Sequence, residues 1–592
     1  MSGARFAVLT AVLGLALGVF LSWPLVLHLQ TAVLDDGSLD AFQFAWNVWW
    51  VQESLLALHR HPFYTHYLYY PEGVPLLFHT GSFALGALAL PLTIAAGPLV
   101  AMNLLVLTAP ALTFVVIAAL AREATRDPWA ALVAGLLGTM TPLAIWVLPV
   151  IYLSCAWIPP AMLLLWWALQ RRREWWLVGA TLALLAFAVF ASQEYAMLAV
   201  AVLGLDTVVR LALARRLGLP RLWLPGTLAF GLLAAALLGT LAAIALAQPA
   251  RPPSSDHALL GSGFVAGFLT PPWLARWRFA FARIFYLGTW TLLLAALALP
   301  LAPRRALYWL LLALPALCMV LGPYLRVHHP LLELPASPGD AAPEPGIPGP
   351  YLLLADLVPL LRFLRAPYRW MTAVNPLLAI LAATAVAALR ERTTHTPAWR
   401  AAVTAAAIAG ALVVPILETR GLRAPLVSAA VPEAYAVVRD DPQEAALLDL
   451  PSGFVQGGLA LFSSRYMYYQ TVHRKFLLEG TVSRLPADRR FVLARGDLDF
   501  SRLPWLKYVV VHRDLLAEAH APSVQQTAAL VARAQREGRL VARDATTEVY
   551  ELGTFRPETV WSPRTRGRSA AAPGHEHANE HAQRCERWDA GG

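Results

Sequence analysis

Residues 6–29 read FAVLTAVLGLALGVFLSWPLVLHL, and a single basic residue, Arg5, comes directly before them. An apolar run of about 20 residues is long enough to cross the roughly 30 Å hydrocarbon core of a bilayer as a helix. This run exceeds the apolar region of a signal peptide, and it ends in Trp23-Pro24 instead of a small-residue cleavage site. It therefore predicts a membrane-spanning helix.

Apolar runs of similar length recur along the chain. Of its 592 residues, 58% are hydrophobic and 14% are charged, whereas soluble domains carry about 25% charged residues. The runs predict an all-α polytopic membrane domain with about eleven spanning helices and further interfacial helices. We place the spans near residues 6–29, 98–121, 127–145, 153–169, 175–191, 195–214, 222–247, 284–302, 306–322, 370–389 and 400–417.

The basic residues orient these spans, because cytoplasmic loops carry the excess of Arg and Lys. With a cytoplasmic N-terminus and segment 81–97 not spanning, every basic cluster is cytoplasmic. These clusters are Arg122/Arg126, Arg171–Arg173, Arg215/Arg216/Arg221, Arg304/Arg305 and Arg390/Arg392/Arg400. Counting 81–97 as a span is the alternative, and it moves the first two clusters outside. We therefore expect 81–97 to be an interfacial or re-entrant helix.

This orientation places the protein in the cell membrane with three long outer loops, 30–97, 248–283 and 323–369. The basic residues sit in short clusters between apolar runs and do not form one patch. Although the net charge is +10, this distribution of basic residues predicts membrane lipids, and no nucleic acid, as partners.

The composition changes after the last apolar run. We assign residues 1–417 to the membrane domain, 418–555 to a small extracytoplasmic α/β domain and 556–592 to a disordered tail. Strand-like runs near 446–450, 508–512 and 548–552, with a helical stretch near 522–537, support the α/β assignment. The tail is polar and rich in Ala and His.

The first outer loop contains the acids that are the strongest candidates for chemistry. A helix predicted over 41–59 places Asp40, Gln43, Asn47 and Ser54 on one face. Asp36 lies in the turn before that helix. The alternative is that the acids only cap the helix or shape its turn.

Other polar residues are expected on the same side of the membrane. We select Asn47, His79, Glu194 and His328 as candidate substrate-binding residues, and Arg365 and Arg369 as candidates for a phosphate. The alternative for the arginines is contact with lipid headgroups. No ligand set with the spacing of a metal site is present, although a divalent metal stays possible.

Ionisable residues are nearly absent from the spans. Asp206 and Arg210 are the exceptions, and their spacing predicts an ion pair one helical turn apart. A coupled transporter needs charged groups near the middle of the membrane. This pattern argues against transport of a lipid or polysaccharide.

Three segments resemble the GT-C superfamily of polytopic glycosyltransferases. They are Asp36-x-x-x-Asp40-x-x-x-x-x-Trp46-Asn47, Tyr70-Pro71-x-Gly73 leading to His79, and Arg365-Ala366-Pro367-Tyr368-Arg369. A C-terminal extracytoplasmic domain containing the run Tyr508-Val509-Val510-Val511-His512 also fits this superfamily.

The resemblance implies a membrane glycosyltransferase whose donor is a sugar on a polyprenyl phosphate. In GT-C enzymes an acid of the first outer loop is the catalytic base, and Asp36 matches it best, with Asp40 second. Arg365 and Arg369 would stabilise the leaving phosphate, the anomeric centre would invert, and the acceptor would be a glycan, a lipid or a protein. A non-catalytic scaffold or glycan-binding protein is the main alternative.

Overall fold

The computed structural model describes residues 2–35, 40–151, 154–247, 262–274, 280–327, 347–357, 366–452, 461–483, 498–518 and 521–560. Helices dominate up to Glu418, and a small sheet with flanking helices follows. This arrangement of a helical membrane domain and a small C-terminal α/β domain confirms the predicted fold class.

The helices of the membrane part are numbered in chain order. They are α1 Gly3–Leu21, α2 Asp40–Gln52, α3 Phe83–Ala96, α4 Pro98–Thr125, α5 Pro128–Thr139, α6 Pro142–Trp146, α7 Ile158–Arg172, α8 Trp175–Ala191, α9 Gln193–Leu217, α10 Leu224–Ala247, α11 Val265–Leu269, α12 Thr289–Leu301, α13 Pro303–Val320, α14 Pro350–Leu357, α15 Met371–Arg392 and α16 Pro397–Glu418.

Eight helices in the described ranges are long and apolar enough to cross a membrane. They are Gly3–Leu21, Pro98–Thr125, Gln193–Leu217, Leu224–Ile244, Arg283–Leu301, Pro303–Val320, Pro367–Arg392 and Pro397–Glu418. The other three predicted spans correspond to α5, α7 and α8, which have 12, 15 and 17 residues. Helix α3, within the segment 81–97, has 14 residues, so it reaches about 21 Å.

Helix α15 lies at the centre of the bundle. In its most apolar stretch 94% of the residues are buried, compared with 11% in the span Leu224–Ile244 and 22% in α16. A helix that is apolar all round is stable only when other helices or lipid surround it. Neighbouring helices therefore enclose α15, while α10 and α16 present most of their surface outward.

Ion pairs connect the helix ends that carry the basic clusters. Arg390 of α15 pairs with Asp127 at 2.8 Å, and Arg305 of α13 pairs with Glu391 at 3.3 Å. Asp127 also caps α5, because its Oδ1 accepts the backbone N–H groups of Trp129 and Ala130. These basic clusters therefore share one end of the bundle.

Short strands join the loops at the other end. They are β1 Ala32–Leu34, β2 Tyr64–Thr65, β3 Val74–Pro75, β4 Tyr324–Leu325, β5 Ile347–Pro348 and β6 Leu426–Ser428. Strand β1 follows the first span and pairs antiparallel with β6, which follows the last one, with Val33 opposite Val427. This pair ties the first outer loop to the start of the C-terminal region.

The C-terminal sheet contains β7 Ala446–Leu450, β8 Phe476–Leu477, β9 Leu506–His512, β10 Gly538–Arg543 and β11 Thr547–Leu552 in the order β10-β11-β9-β7-β8. Helices α17 Ala436–Asp440, α18 Leu461–His473, α19 Arg513–Glu518 and α20 Ala521–Glu537 accompany it. Strand β7 runs parallel to β8 and β9, whereas β11 runs antiparallel to β9 and β10. The central strands β7 and β9 are buried along their whole length, as a sheet covered on both faces requires.

Candidate functional site

The first outer loop contains a buried acid, Asp35, in the segment before α2. The Asp35 side chain is fully buried, and its Oδ2 accepts the backbone N–H of Ala41 at 3.3 Å. Its backbone N–H donates to Pro425 O at 3.1 Å, which continues the β1–β6 pair. Asp35 thus fixes the start of α2, where Asp40 is the first residue and is half-buried. The positive end of the helix dipole stabilises a carboxylate at that position.

Two amides on one face of α2 reach the segment that precedes α3. The Gln43 amide lies 3.0 Å from His79 Nε2 and 3.2 Å from Thr80 Oγ1. Asn47 Nδ2 donates to Thr80 O at 3.0 Å. Gln43, Asn47 and His79 are all buried, so the structure brings two of the predicted site residues, Asn47 and His79, to one place.

The predicted helix over 41–59 changes geometry before its end. Helix α2 ends at Gln52, and a π-helical turn, Glu53–Ala57, follows it. Ser54 lies in that turn and donates to Val51 O at 3.2 Å, so it takes no part in the contacts with Thr80. Glu53 is buried and accepts the Tyr67 hydroxyl at 3.2 Å.

The C-terminal domain contributes to the same cluster. Ser483, which follows β8, donates its backbone N–H to His79 Nδ1 at 3.0 Å, and its hydroxyl lies 3.0 Å from Thr80 Oγ1. A ring nitrogen that accepts a hydrogen bond carries no hydrogen, so the hydrogen of neutral His79 is on Nε2. The structure places Gln43 Nε2 at this nitrogen and has it donate to Thr80 Oγ1, and exchanging the amide nitrogen and oxygen gives the His79 Nε2–H an acceptor.

Further contacts hold the outer loop against the sheet. Leu477 N donates to Tyr67 O at 2.9 Å and Tyr70 N donates to Leu477 O at 3.0 Å, which adds loop backbone to the edge at β8. Tyr70 stacks on Phe476 with centroids 4.5 Å apart. The C-terminal domain and the first outer loop therefore lie at the same end of the bundle, opposite the basic clusters.

An ion pair connects two later elements at this end. Glu194, in the first turn of α9, pairs with Arg369 of the 3₁₀ helix Pro367–Trp370. Their side chains are 16% and 10% exposed, so water screens the pair little. Gln193 donates to Leu77 O at 2.7 Å, which attaches the start of α9 to the loop that holds His79. Three segments thus meet at the site.

The helix that contains Arg369 begins late. Ala366 is extended, with φ −135° and ψ 90°, and Pro367 takes the first helical position, where its missing N–H is not needed. Arg365 precedes this start and lies outside the described residues. The helix before α15 therefore begins at Pro367 and does not extend back through Ala366.

Three predicted site residues, Asp36, His328 and Arg365, lie outside the described ranges. Within those ranges no group of three or more His, Cys, Asp and Glu side chains has the arrangement of a metal site.

The Asp206–Arg210 ion pair is present as predicted, with Arg210 Nε 2.6 Å from Asp206 Oδ2. Trp166 donates to Asp206 Oδ2 at 2.8 Å, and the Tyr308 hydroxyl donates to the other oxygen of that carboxylate. These residues belong to α7, α9 and α13, so the network joins three helices of the bundle. Arg210 also donates to Pro220 O, next to the basic cluster Arg215/Arg216/Arg221.

A second buried network lies inside the C-terminal sheet. His512 Nε2 lies 3.1 Å from Asp449 Oδ1, both side chains are 1% exposed, and the Tyr435 hydroxyl bonds the same carboxylate. It links β7, β9 and the turn before α17, so it stabilises that domain.

Several residues of the site have no distinctive sequence pattern. Asp35 adjoins Asp36, and nothing in the sequence separates the two acids. Ser483 lies 404 positions from His79, so no local periodicity indicates their contact. Gln43 could have been selected, because it shares the predicted helix face of Asp40 and Asn47.

Comparison with other proteins gives similarity to solved structures alone. No family model matches the sequence, and no curated protein matches it. The chain is similar to the oligosaccharyltransferase of Archaeoglobus fulgidus in its apo form, at 12% identity and a TM-score of 0.42, over 87% of this chain and 70% of that one.

Two further structures of that archaeal protein are similar to this chain. One contains an inhibitory peptide and a dolichol-phosphate, with 12% identity and a TM-score of 0.40 over 87% of this chain and 70% of the other. The second is tethered to an acceptor peptide containing the NVT sequon, with 12% identity and a TM-score of 0.41 over 93% and 74%. At these values, the function proposed below rests on the side chains of this chain.

Proposed function

We propose that this protein is a membrane glycosyltransferase that moves a sugar from a polyprenyl-phosphate donor to an acceptor hydroxyl on the extracytoplasmic face. The observation that supports it most is the meeting of the first outer loop, the start of α9 and the helix before α15 at one end of the bundle. Glu194 pairs with the Arg369 guanidinium there, and the loop that holds His79 contacts both the start of α9 and the C-terminal domain. An apolar donor tail stays in lipid while its phosphate reaches such a boundary.

The loop acids supply the base of the proposed reaction. Asp36 takes the proton of the acceptor hydroxyl, and Asp40, at the start of α2, orients that acid or the acceptor. The acceptor oxygen attacks the anomeric carbon, and the bond from that carbon to the phosphate oxygen breaks. The electron pair leaves with polyprenyl phosphate, and the anomeric centre inverts because attack comes from the opposite side.

Arg369 supplies positive charge to the leaving phosphate, with Arg365 as its companion. The pairing with Glu194 holds the Arg369 guanidinium in one orientation before donor binds. A guanidinium has five N–H donors in a planar fork, so it can contact a carboxylate and a phosphate oxygen together. Asn47, His79 and His328 are the remaining proposed substrate contacts.

The proposal needs the site on the extracytoplasmic side, with the N-terminus in the cytoplasm. Reporter fusions after Arg126 and Arg173 are expected to be cytoplasmic, and a fusion after Leu417 extracytoplasmic. A cytoplasmic result after Leu417 would place the site on the wrong face for this donor.

The direct test of the activity uses the purified full chain in lipid nanodiscs with a panel of polyprenyl-phosphate-linked sugars. A glycosyltransferase releases polyprenyl phosphate from at least one donor, and release increases with an acceptor extract from the cell envelope. The main rival, a non-catalytic scaffold or glycan-binding protein, binds glycan and releases nothing. No release across the panel, with donor bound, would favour that rival.

A further inference from the structure

The basic end of the bundle contains a cavity remote from the proposed site. It has a volume of about 500 Å³ and lies among α1, α4 and α7, and its lining residues are Phe6, Ala119, Arg122, Glu123, Arg126 and Leu164. Ligand pockets typically measure 300–1,000 Å³. The cavity is therefore large enough for a headgroup together with the upper part of an acyl chain.

The charges at this cavity do not balance. Glu123 is paired with Arg171 and lies 4.0 Å from Arg126. Arg122 is half-buried, and its guanidinium carbon lies over the Phe6 ring, 4.4 Å from the ring centroid. Within the part of the chain that the structure describes, no carboxylate lies within 4 Å of Arg122. Three guanidiniums thus face one carboxylate, which leaves an excess of positive charge.

The walls of the cavity fit an amphipathic ligand. Phe6, Ala119 and Leu164 supply apolar surface beside the arginines. Helix α1 continues from Phe6 with an outward apolar surface, as Val8 and Val12 are 65% and 58% exposed. In a bilayer that surface faces acyl chains, whereas the arginines lie at headgroup depth.

We propose that this cavity binds the phosphate of an anionic phospholipid, with Arg122 and Arg126 contacting the phosphate and Phe6 packing against the acyl chain. Basic pockets between membrane helices suit such headgroups, because a guanidinium gives a phosphate two parallel hydrogen bonds. The site lies at the end opposite the acids of the outer loop, so it is independent of the proposed transfer reaction.

The test uses native mass spectrometry of the full chain in a nonionic detergent titrated with phosphatidylglycerol. The wild-type protein is expected to bind one lipid more tightly than the rest. Arg122→Gln and Arg126→Gln are each expected to weaken that binding roughly tenfold, since a charge-assisted bond is lost. Arg126 is 70% exposed, so its variant retains the fold even if Arg122→Gln does not.

Arg215→Gln is the matched control, because it removes the same charge from an exposed position at the same end. It is expected to change binding less than about twofold, since screening weakens a distant exposed charge. An equal loss with Arg215→Gln would show a general attraction and overturn the site. Equal binding of phosphatidylcholine, or displacement of the lipid by millimolar inorganic phosphate, would also overturn it.

Discussion

Ser483 of the C-terminal domain donates its backbone N–H to Nδ1 of His79 in the first outer loop, at 3.0 Å. The bond joins two residues that are 404 positions apart in the sequence, with most of the membrane domain between them. It also fixes the hydrogen of neutral His79 on Nε2. The C-terminal domain therefore contacts a residue of the candidate site directly. We therefore expect the outer loop to depend on that domain for its order.

This contact predicts different effects for two substitutions of His79. In His79→Asn the side-chain oxygen can replace Nδ1 as the acceptor, whereas His79→Ala leaves the Ser483 N–H unsatisfied, at a cost of about 1–3 kcal/mol. Hydrogen exchange of the segment 67–80 should therefore rise more in the Ala variant. Wild-type exchange in His79→Ala would contradict the role of this bond.

The Arg369–Glu194 ion pair predicts that exchanging the two charges restores stability without restoring donor binding. Arg369→Ala leaves the Glu194 carboxylate, which is 16% exposed, without the guanidinium that faces it, and this costs roughly 3 kcal/mol. The exchange Arg369→Glu with Glu194→Arg restores the pair and the unfolding midpoint. Donor binding should stay weak in this double variant, because the guanidinium has moved from the helix before α15 to α9. Recovery of full binding would reduce the pair to a structural role.

The Asp206 network predicts that removing the charge of Asp206 strongly lowers the stability of the protein. Asp206→Asn keeps the shape of the side chain but removes the charge that faces buried Arg210, so we expect a loss of about 3–5 kcal/mol in unfolding free energy. Asp206→Leu combined with Arg210→Met should recover most of it, since no buried charge is left. Thermal unfolding in detergent measures both. An unchanged midpoint for Asp206→Asn would contradict this role.

His473 predicts how the stability of the C-terminal domain depends on pH. Burial, with a smaller effect from the charge of Lys475, lowers the pKa of His473 to about 3. The unfolded chain, with a pKa near 6.5, therefore binds a proton that the folded domain does not between about pH 6.5 and pH 3. Stability should fall by about 2 kcal/mol from pH 7 to pH 5.

Hydrogen exchange in β7 and β9, corrected for intrinsic rates, measures that dependence. His473→Asn supplies an oxygen in place of Nδ1, which accepts the Lys475 N–H at 3.1 Å, and it does not titrate. The variant should be less stable at pH 7 and less dependent on pH. An identical slope in both proteins would assign the pH dependence to other groups.

The membrane spans could be predicted from the sequence because apolar length is a local property. Helix α4 and the predicted span 98–121 start at the same residue, and α9 contains the ion pair expected from the spacing of Asp206 and Arg210. The predicted span 127–145 is divided in the structure, since α5 ends at Thr139 and a separate short helix begins at Pro142, whereas α8 has the predicted bounds 175–191. Proline interrupts the helix without changing the hydropathy of the run.

The site could be predicted only in part, because its contacts are not local. The spacing on α2 indicated that Asn47 and Asp40 share a face, but the contact of Asn47 with Thr80 depends on tertiary packing. The pairing of β1 with β6 joins residues nearly 400 positions apart. The sequence around Asp35 therefore does not reveal that this residue is buried. The late start of the helix at Pro367 follows from proline geometry.

The central claim is that a carboxylate of the first outer loop is the catalytic base. The measurement is the rate of polyprenyl-phosphate release by Asp36→Asn and Asp40→Asn in nanodiscs, with Glu72→Gln as the control, an exposed acid of the same loop. Each Asn variant keeps the shape of the side chain and removes its basicity. We predict a fall of roughly 10²–10⁴ for Asp36→Asn, a smaller fall for Asp40→Asn and no change for Glu72→Gln. Full release by both Asn variants would contradict the proposed mechanism.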